Sequence, residues 1–83
     1  MKKYIYIYIG AEWCPKCKVY KPKFEEHCKK NELAYKIIDA DDESNKNFIE
    51  ANGVRNIPII VRIDSSKPDE KGELILVEDF LKD

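Results

Sequence analysis

Cys14 and Cys17 are separated by Pro15 and Lys16, between an apolar run and a segment of helical periodicity. Residues three apart on a helix hold their side chains about 5–6 Å from each other. A disulfide requires Cα atoms about 4.4–6.8 Å apart, so this pair can open and close with little backbone movement. Pro15 suits the first helical position, where its missing N–H costs nothing and its φ is already helical, which puts Cys14 at the N-cap. Free backbone N–H groups and the positive end of the helix dipole then face the Cys14 sulfur and favour thiolate over thiol. Cys14 is expected to be the nucleophile. Cys17, one turn further in and shielded by the helix, is better placed to resolve a Cys14 mixed disulfide than to meet a partner first. Pro15, Lys16 and the nearby Lys18, Lys21 and Lys23 should lower the Cys14 pKa below the free value of about 8.5. The couple is expected between about −270 and −180 mV.

Other residues capable of chemistry fit this picture less well. Cys14, Cys17, His27 and Cys28 are zinc-ligand types, but along one continuous helix Cys28 lies roughly 16 Å from Cys17, so no metal is expected. Cys28 reads as a small buried hydrophobe. His27 sits near the far end of the helix, where a cationic ring would interact with the dipole, too distant to serve Cys14. Asp39 to Glu43 offers carboxylates without calcium-loop spacing and reads as a solvated loop.

Positioning the cysteines requires a strand before them and a helix after. From Lys3 to Ile9, tyrosines at 4, 6 and 8 alternate with isoleucines at 5, 7 and 9, which gives two apolar faces and a central strand covered on both sides. Gly10 to Trp13 forms the turn into a helix from Pro15 to Lys30, with Cys17, Tyr20, Phe24 and His27/Cys28 on one face and Pro22 expected to kink it. A second strand is expected over Leu33–Asp39, a short helix over Ser44–Asn52 ended by Gly53, and a third strand from Pro58 to Ile63. A turn-rich connection over 65–72 leads to a fourth strand, Glu73–Val77, and a last helical turn holds Phe80 and Leu81. The order β-α-β-α-β-β-α predicts an α/β fold: a four-stranded mixed sheet with helices on both faces.

With 83 residues, 43% hydrophobic content and no repeat, the chain reads as one domain, 1–83. No run approaches the roughly 20 apolar residues of a membrane span, and the apolar start lacks a cleavage site. One close cysteine pair in an odd count suits a reducing compartment, and a cytoplasmic monomer is expected. Net charge is only −1, but residues 1–36 carry nine lysines against four acids, and residues 37–83 carry six bases against twelve acids. The basic half can steer anionic partners. The acidic half repels phosphate, and the aromatics alternate within a strand, which argues against nucleic acid.

Ala11-Glu12-Trp13-Cys14 with Cys17, Lys18 and Pro22, then Ile38 to Asp42, then Gly53-Val54-Arg55-Asn56-Ile57-Pro58, resemble the thioredoxin family over residues 3–63. In size and element order the chain is closer to glutaredoxins. The resemblance implies a thioredoxin-like fold and a thiol–disulfide oxidoreductase using the Cys14–Cys17 disulfide itself, with no bound cofactor. It implies a cis peptide before Pro58, an Ile57 backbone free to pair with an extended substrate segment, and Trp13 flanking the nucleophile on the contact surface. Substrates would be disulfide-containing proteins, and the electron donor a thioredoxin-reductase-like flavoprotein or glutathione.

Two departures stand out. Where thioredoxins carry a buried aspartate behind the cysteines, this chain has Tyr8. Where glutaredoxins carry Gly-Gly and an acid for glutathione, it has Leu76-Val77-Glu78-Asp79, whose acids read more simply as helix N-terminal charges. The alternatives are a glutathione-dependent glutaredoxin and a thioredoxin-fold binding module without redox turnover.

Overall fold

The computed structural model describes residues 3–67 and 69–82; Pro68, in the connection expected over 65–72, lies outside them. Strand β1 (Tyr4–Gly10) leads through a tight turn into helix α1 (Pro15–Lys30), and β2 (Ala34–Asp39) returns parallel to β1, Tyr8 beside Ile37. A 3-10 turn (Glu43–Asn45) and helix α2 (Lys46–Ala51) precede β3 (Ile59–Asp64), which runs antiparallel to β1. Strand β4 (Glu73–Ile75) closes a hairpin with β3, and α3 (Val77–Leu81) follows. The sheet order β2-β1-β3-β4 makes β1 an interior strand, as its double apolar face requires.

That alternation divides the core in two. Tyr6 and Tyr8 face α1 and α3, packing with Phe24, Cys28, Ile60, Val77 and Phe80. Ile7 and Ile9 face α2, packing with Ile59, Val61, Phe48 and Ile49. Phe24 has no exposed surface and lies 5.2 Å from the Tyr8 ring, 5.5 Å from Phe80 and 5.7 Å edge-on from Tyr35. These separations suit tilted and edge-to-face aromatic contacts.

Several boundaries differ from the sequence expectation. The fourth strand stops at Ile75, and Val77 instead opens α3, where it is buried in the aromatic core with Glu78 and Asp79 in the helix's first turn. Acids there favour the positive helix end, so the apolar run from Leu74 to Val77 divides between strand and helix. The helix expected over Ser44–Asn52 begins as a 3-10 turn because Asp42 Oδ1 accepts hydrogen bonds from the Ser44 backbone N–H at 2.9 Å and its hydroxyl at 2.8 Å. Gly53 ends α2 with φ +68°, a left-handed conformation glycine adopts without penalty. Strand β3 starts at Ile59, one residue after Pro58. Helix α1 continues through Pro22 without ending there.

Cys28 is fully buried on α1, and burial pushes its thiol pKa up to about 11. It is expected to resist iodoacetamide in the native state and to label only as the protein unfolds. Native labelling at the rate of a free thiol would contradict this. His27 packs its ring 4.7 Å from Phe80, and its carbonyl accepts the Asn31 caps of the helix end.

Candidate active site

The end of β1 delivers Gly10 and Ala11, and the turn that follows places Cys14 as the N-cap of α1 in extended backbone (φ −86°, ψ 113°) with Pro15 opening the helix. The Cys17 backbone N–H donates to the Cys14 sulfur at 3.3 Å. An orphan amide of the first turn thus finds a side-chain acceptor, as N-capping requires. Both cysteines are free thiols, and with Ala11 they form a small buried cluster against Ile57. The Ile57–Pro58 peptide is cis.

The two thiols have opposite electrostatics. The Cys14 pKa lies below the ordinary thiol value, first because it accepts a hydrogen bond from the Cys17 thiol. The backbone N–H groups of Cys17 and Lys16 and the Lys16 charge add to this against a cost of burial. Cys17 is raised, first by burial and then by its bond to Cys14, with the Ala11 backbone and the Tyr8 hydroxyl opposing. Exposed area barely separates them, at 5% and 4%. The difference is position: Cys14 caps the helix, whereas Cys17 lies within its first turn. Of the lysines near the helix start, Lys16 alone contributes to the Cys14 shift, and it does so last. The anion is therefore favoured by short-range donors more than by the basic cluster.

Among the residues singled out from the sequence, Cys14, Cys17 and Ile57 meet in one cluster, Pro58 adjoins it, and Pro15 and Lys16 are exposed at the helix start. Trp13 is 65% exposed and its indole N–H donates to Asp41 Oδ2 at 2.6 Å. Asp41 belongs to the acidic stretch expected to be only a solvated loop, and Asp39 Oδ1 in that stretch accepts from the Asp41 backbone N–H. A charge–aromatic contact across 28 positions leaves no local sequence signal.

Tyr8 is the residue that strand periodicity hid. It alternates as a core side chain and is 1% exposed, yet its hydroxyl donates to the Cys17 carbonyl at 3.3 Å and works to lower the pKa of the Cys17 thiol. Its own pKa is raised, chiefly by burial. The signal was its position, where the family resemblance set a carboxylate behind the cysteines. Gly10 makes the approach possible: a β-carbon there would lie 2.8 Å from Tyr8 Cε1 and 3.0 Å from Cys17 Sγ. Gly10→Ala is expected to displace the ring or the thiol, lower stability by about 1–3 kcal/mol and slow thiol exchange. Thermal unfolding together with a disulfide-reduction assay would check both, and a variant unchanged in each would refute the tight contact.

Alongside Tyr8, Gly10, Cys17, Lys18, Lys21 and Asp39 opens a crevice of about 620 Å³ between α1 and the β2 side of the sheet. It reaches Cys17 from the β2 side of the sheet, and β1 separates β2 from β3.

A mixed four-stranded sheet that presents a reduced Cys-x-x-Cys pair at a helix start, beside a cis-proline turn, defines the class of thioredoxin-type oxidoreductases. The thioredoxin family model matches residues 1–78, and the chain belongs to the thioredoxin family. Among solved structures, a point-mutant thioredoxin of Halobacterium salinarum is similar at TM-score 0.75 and 23% identity, over 96% of this chain and 70% of that one. Thioredoxin 1 of Thermosipho africanus is similar at TM-score 0.73 and 17% identity, over 94% and 86%. The Fasciola hepatica thioredoxin is similar at TM-score 0.73 and 20% identity, over 96% and 79%. At such identities the likeness is one of fold. No curated protein matched significantly. Among the described residues, no helix is long and apolar enough to cross a membrane.

Proposed function

We propose that this protein reduces disulfides in other proteins, with Cys14 as nucleophile and Cys17 as resolving thiol, in a reducing compartment such as the cytoplasm. The observation that carries the reading is the Cys14 sulfur at the N-cap, accepting the Cys17 amide at 3.3 Å, with its pKa lowered while that of Cys17 is raised. Cys14 thiolate attacks one sulfur of the target disulfide, forming a Cys14–target bond and releasing the other target sulfur as a thiolate that takes a proton from water. Cys17 then loses its proton and attacks Cys14. The Cys14–Cys17 bond forms, the Cys14–target bond breaks, and the second target sulfur leaves reduced. Two electrons pass from the protein to the target.

Exposed Trp13 and the Ile57–Pro58 turn flank the pair and suit docking of an extended segment, the indole giving an apolar face and the turn a strand to pair with. For recharging, a flavoprotein reductase fits better than glutathione. Val77 is buried where a ligand would need room, and Glu78 and Asp79 stand in the first turn of α3, with Asp79 3.9 Å from Lys82.

The test is insulin-type disulfide reduction with each donor offered separately, joined to the pH profile of Cys14 alkylation. A lowered pKa means the thiolate forms at lower pH, so the rate should reach half its plateau below the ordinary thiol value of about 8.5. The same shift favours the folded reduced protein above the unfolded thiol pKa, an advantage lost as pH falls through the lower folded value. A midpoint at or above the ordinary value, or no reduction with any donor, would refute the proposal.

A further inference from the structure

We infer that the Tyr8 hydroxyl is a catalytic residue of the second exchange step, donating a hydrogen bond to the Cys17 thiolate as it attacks the mixed disulfide, while water in the adjoining crevice takes the thiol proton. This rests on the reading of Cys17 as the resolving thiol and adds the group that stabilises it.

Cys17 has to become an anion inside the protein, where its charge is poorly solvated. Before that step its hydrogen bond runs to Cys14. Once Cys14 is bonded to the target, its sulfur is no longer an anion for the Cys17 thiol to serve, and Cys17 needs a donor of its own. Beyond the Ala11 backbone, the side chain at hand is Tyr8. Its ring is held by Phe24 at 5.2 Å, and ring edge and Cys17 sulfur both lie within 3.0 Å of the place a Gly10 β-carbon would occupy. The hydroxyl donates to the carbonyl of Cys17 itself at 3.3 Å, so it already stands beside that residue, and turning its O–H bond toward the side chain is the movement this step requires. Helix geometry allows this, since the Cys17 carbonyl keeps the Lys21 amide as its ordinary partner four residues on.

Tyr8 does not itself remove the proton. Burial raises the phenol well above its ordinary value, so it stays protonated at any pH at which the protein works. The acceptor is crevice water, through the opening lined by Tyr8, Cys17, Lys18, Lys21 and Asp39. The Cys17 S–H bond breaks and its proton passes to water. The new thiolate, held by the phenol, forms the bond to Cys14 Sγ, and the target sulfur departs with the electron pair and is protonated by solvent. Charged and titratable groups facing this site are Cys14 at the helix cap, Lys18 and Lys21 from α1, Glu12 from the turn before it, and Asp39 from β2. The lysines favour the anion and the acids oppose it.

The test forms the mixed disulfide of Cys14 with a single-thiol chromophore, in which release reports Cys17 attack alone, and follows release against pH. Tyr8→Phe keeps the ring packing and removes the donor. Loss of a hydrogen bond to a charged group corresponds to roughly tenfold or more, so release should be about tenfold slower at neutral pH. The gap should close at alkaline pH, where Cys17 is ionised in both proteins. A merely structural role would slow release equally at all pH values. Should Tyr8→Phe fail to fold, a fluorinated tyrosine placed at position 8, a stronger donor of the same shape, must move the release midpoint to lower pH. Unchanged release in Tyr8→Phe, or an unmoved midpoint in the fluorinated protein, overturns the inference about Tyr8. Absence of release from the unmodified protein overturns the resolving role of Cys17 instead.

Discussion

Cys14→Ser is expected to abolish disulfide exchange to background, whereas Cys17→Ser still captures targets and accumulates them as mixed disulfides. The asymmetry follows from where each sulfur stands. A serine hydroxyl at position 14 can accept the Cys17 amide and cap the helix, so the fold persists, but it supplies no thiolate at neutral pH. Without Cys14, Cys17 is left buried with its pKa raised by that burial, poorly able to take over. In Cys17→Ser the nucleophile remains, and the serine hydroxyl can donate to it in place of the thiol, so capture should proceed at neutral pH while no second thiol is left to release the target. Mass spectrometry of trapped adducts reads both arms. Exchange by Cys14→Ser at the unmodified rate would remove Cys14 from the role of nucleophile, whereas partner binding left intact in Cys14→Ser with no exchange by the unmodified protein would favour a binding module.

The second large effect is on stability. Phe24→Ala deletes the ring that touches Tyr8, Tyr35 and Phe80 together, at a position with no exposed surface. Such a truncation costs about 3–5 kcal/mol from lost transfer energy and the cavity left behind. Small domains hold only about 5–15 kcal/mol in total, and 1 kcal/mol shifts Tm by roughly 4–8 °C at this size. A fall of about 20 °C, or loss of the cooperative transition, is expected in thermal unfolding followed by circular dichroism. A change of a few degrees would mean that the Tyr8, Phe24 and Phe80 cluster does not bind α1 and α3 to the sheet as described. Because Tyr8 leans on the same ring, reductase activity in surviving folded protein should also drop.

Much of this was legible in the chain, and for identifiable reasons. Tyr and Ile alternating in β1 leave no polar face, which forces an interior strand and assigns one core to each side. Pro15 and the apolar spacing to Cys28 fix both ends of α1 because proline tolerates the helix start and the stripe runs its full length. The cis peptide before Pro58 came from the family resemblance, since local chemistry alone favours trans. What stayed hidden depends on partners distant in sequence. Val77 reads as strand by its β-branched type, but burial against the aromatic core turns it into α3. Asp41 reads as solvated until Trp13 is brought to it, and Tyr8 reads as core because burial and chemistry use opposite ends of one side chain.

The indole tether on the surface has a consequence for recognition. A free tryptophan side chain rotates among several rotamers, and docking onto it must freeze that motion at about 0.5–1.5 kcal/mol for an immobilised side chain. Asp41 has already restrained the Trp13 ring before any target arrives, leaving its flat apolar side outward. Under the proposed function, part of the entropy of association is thus settled during folding, and even a loosely structured target would meet a restrained platform beside Cys14.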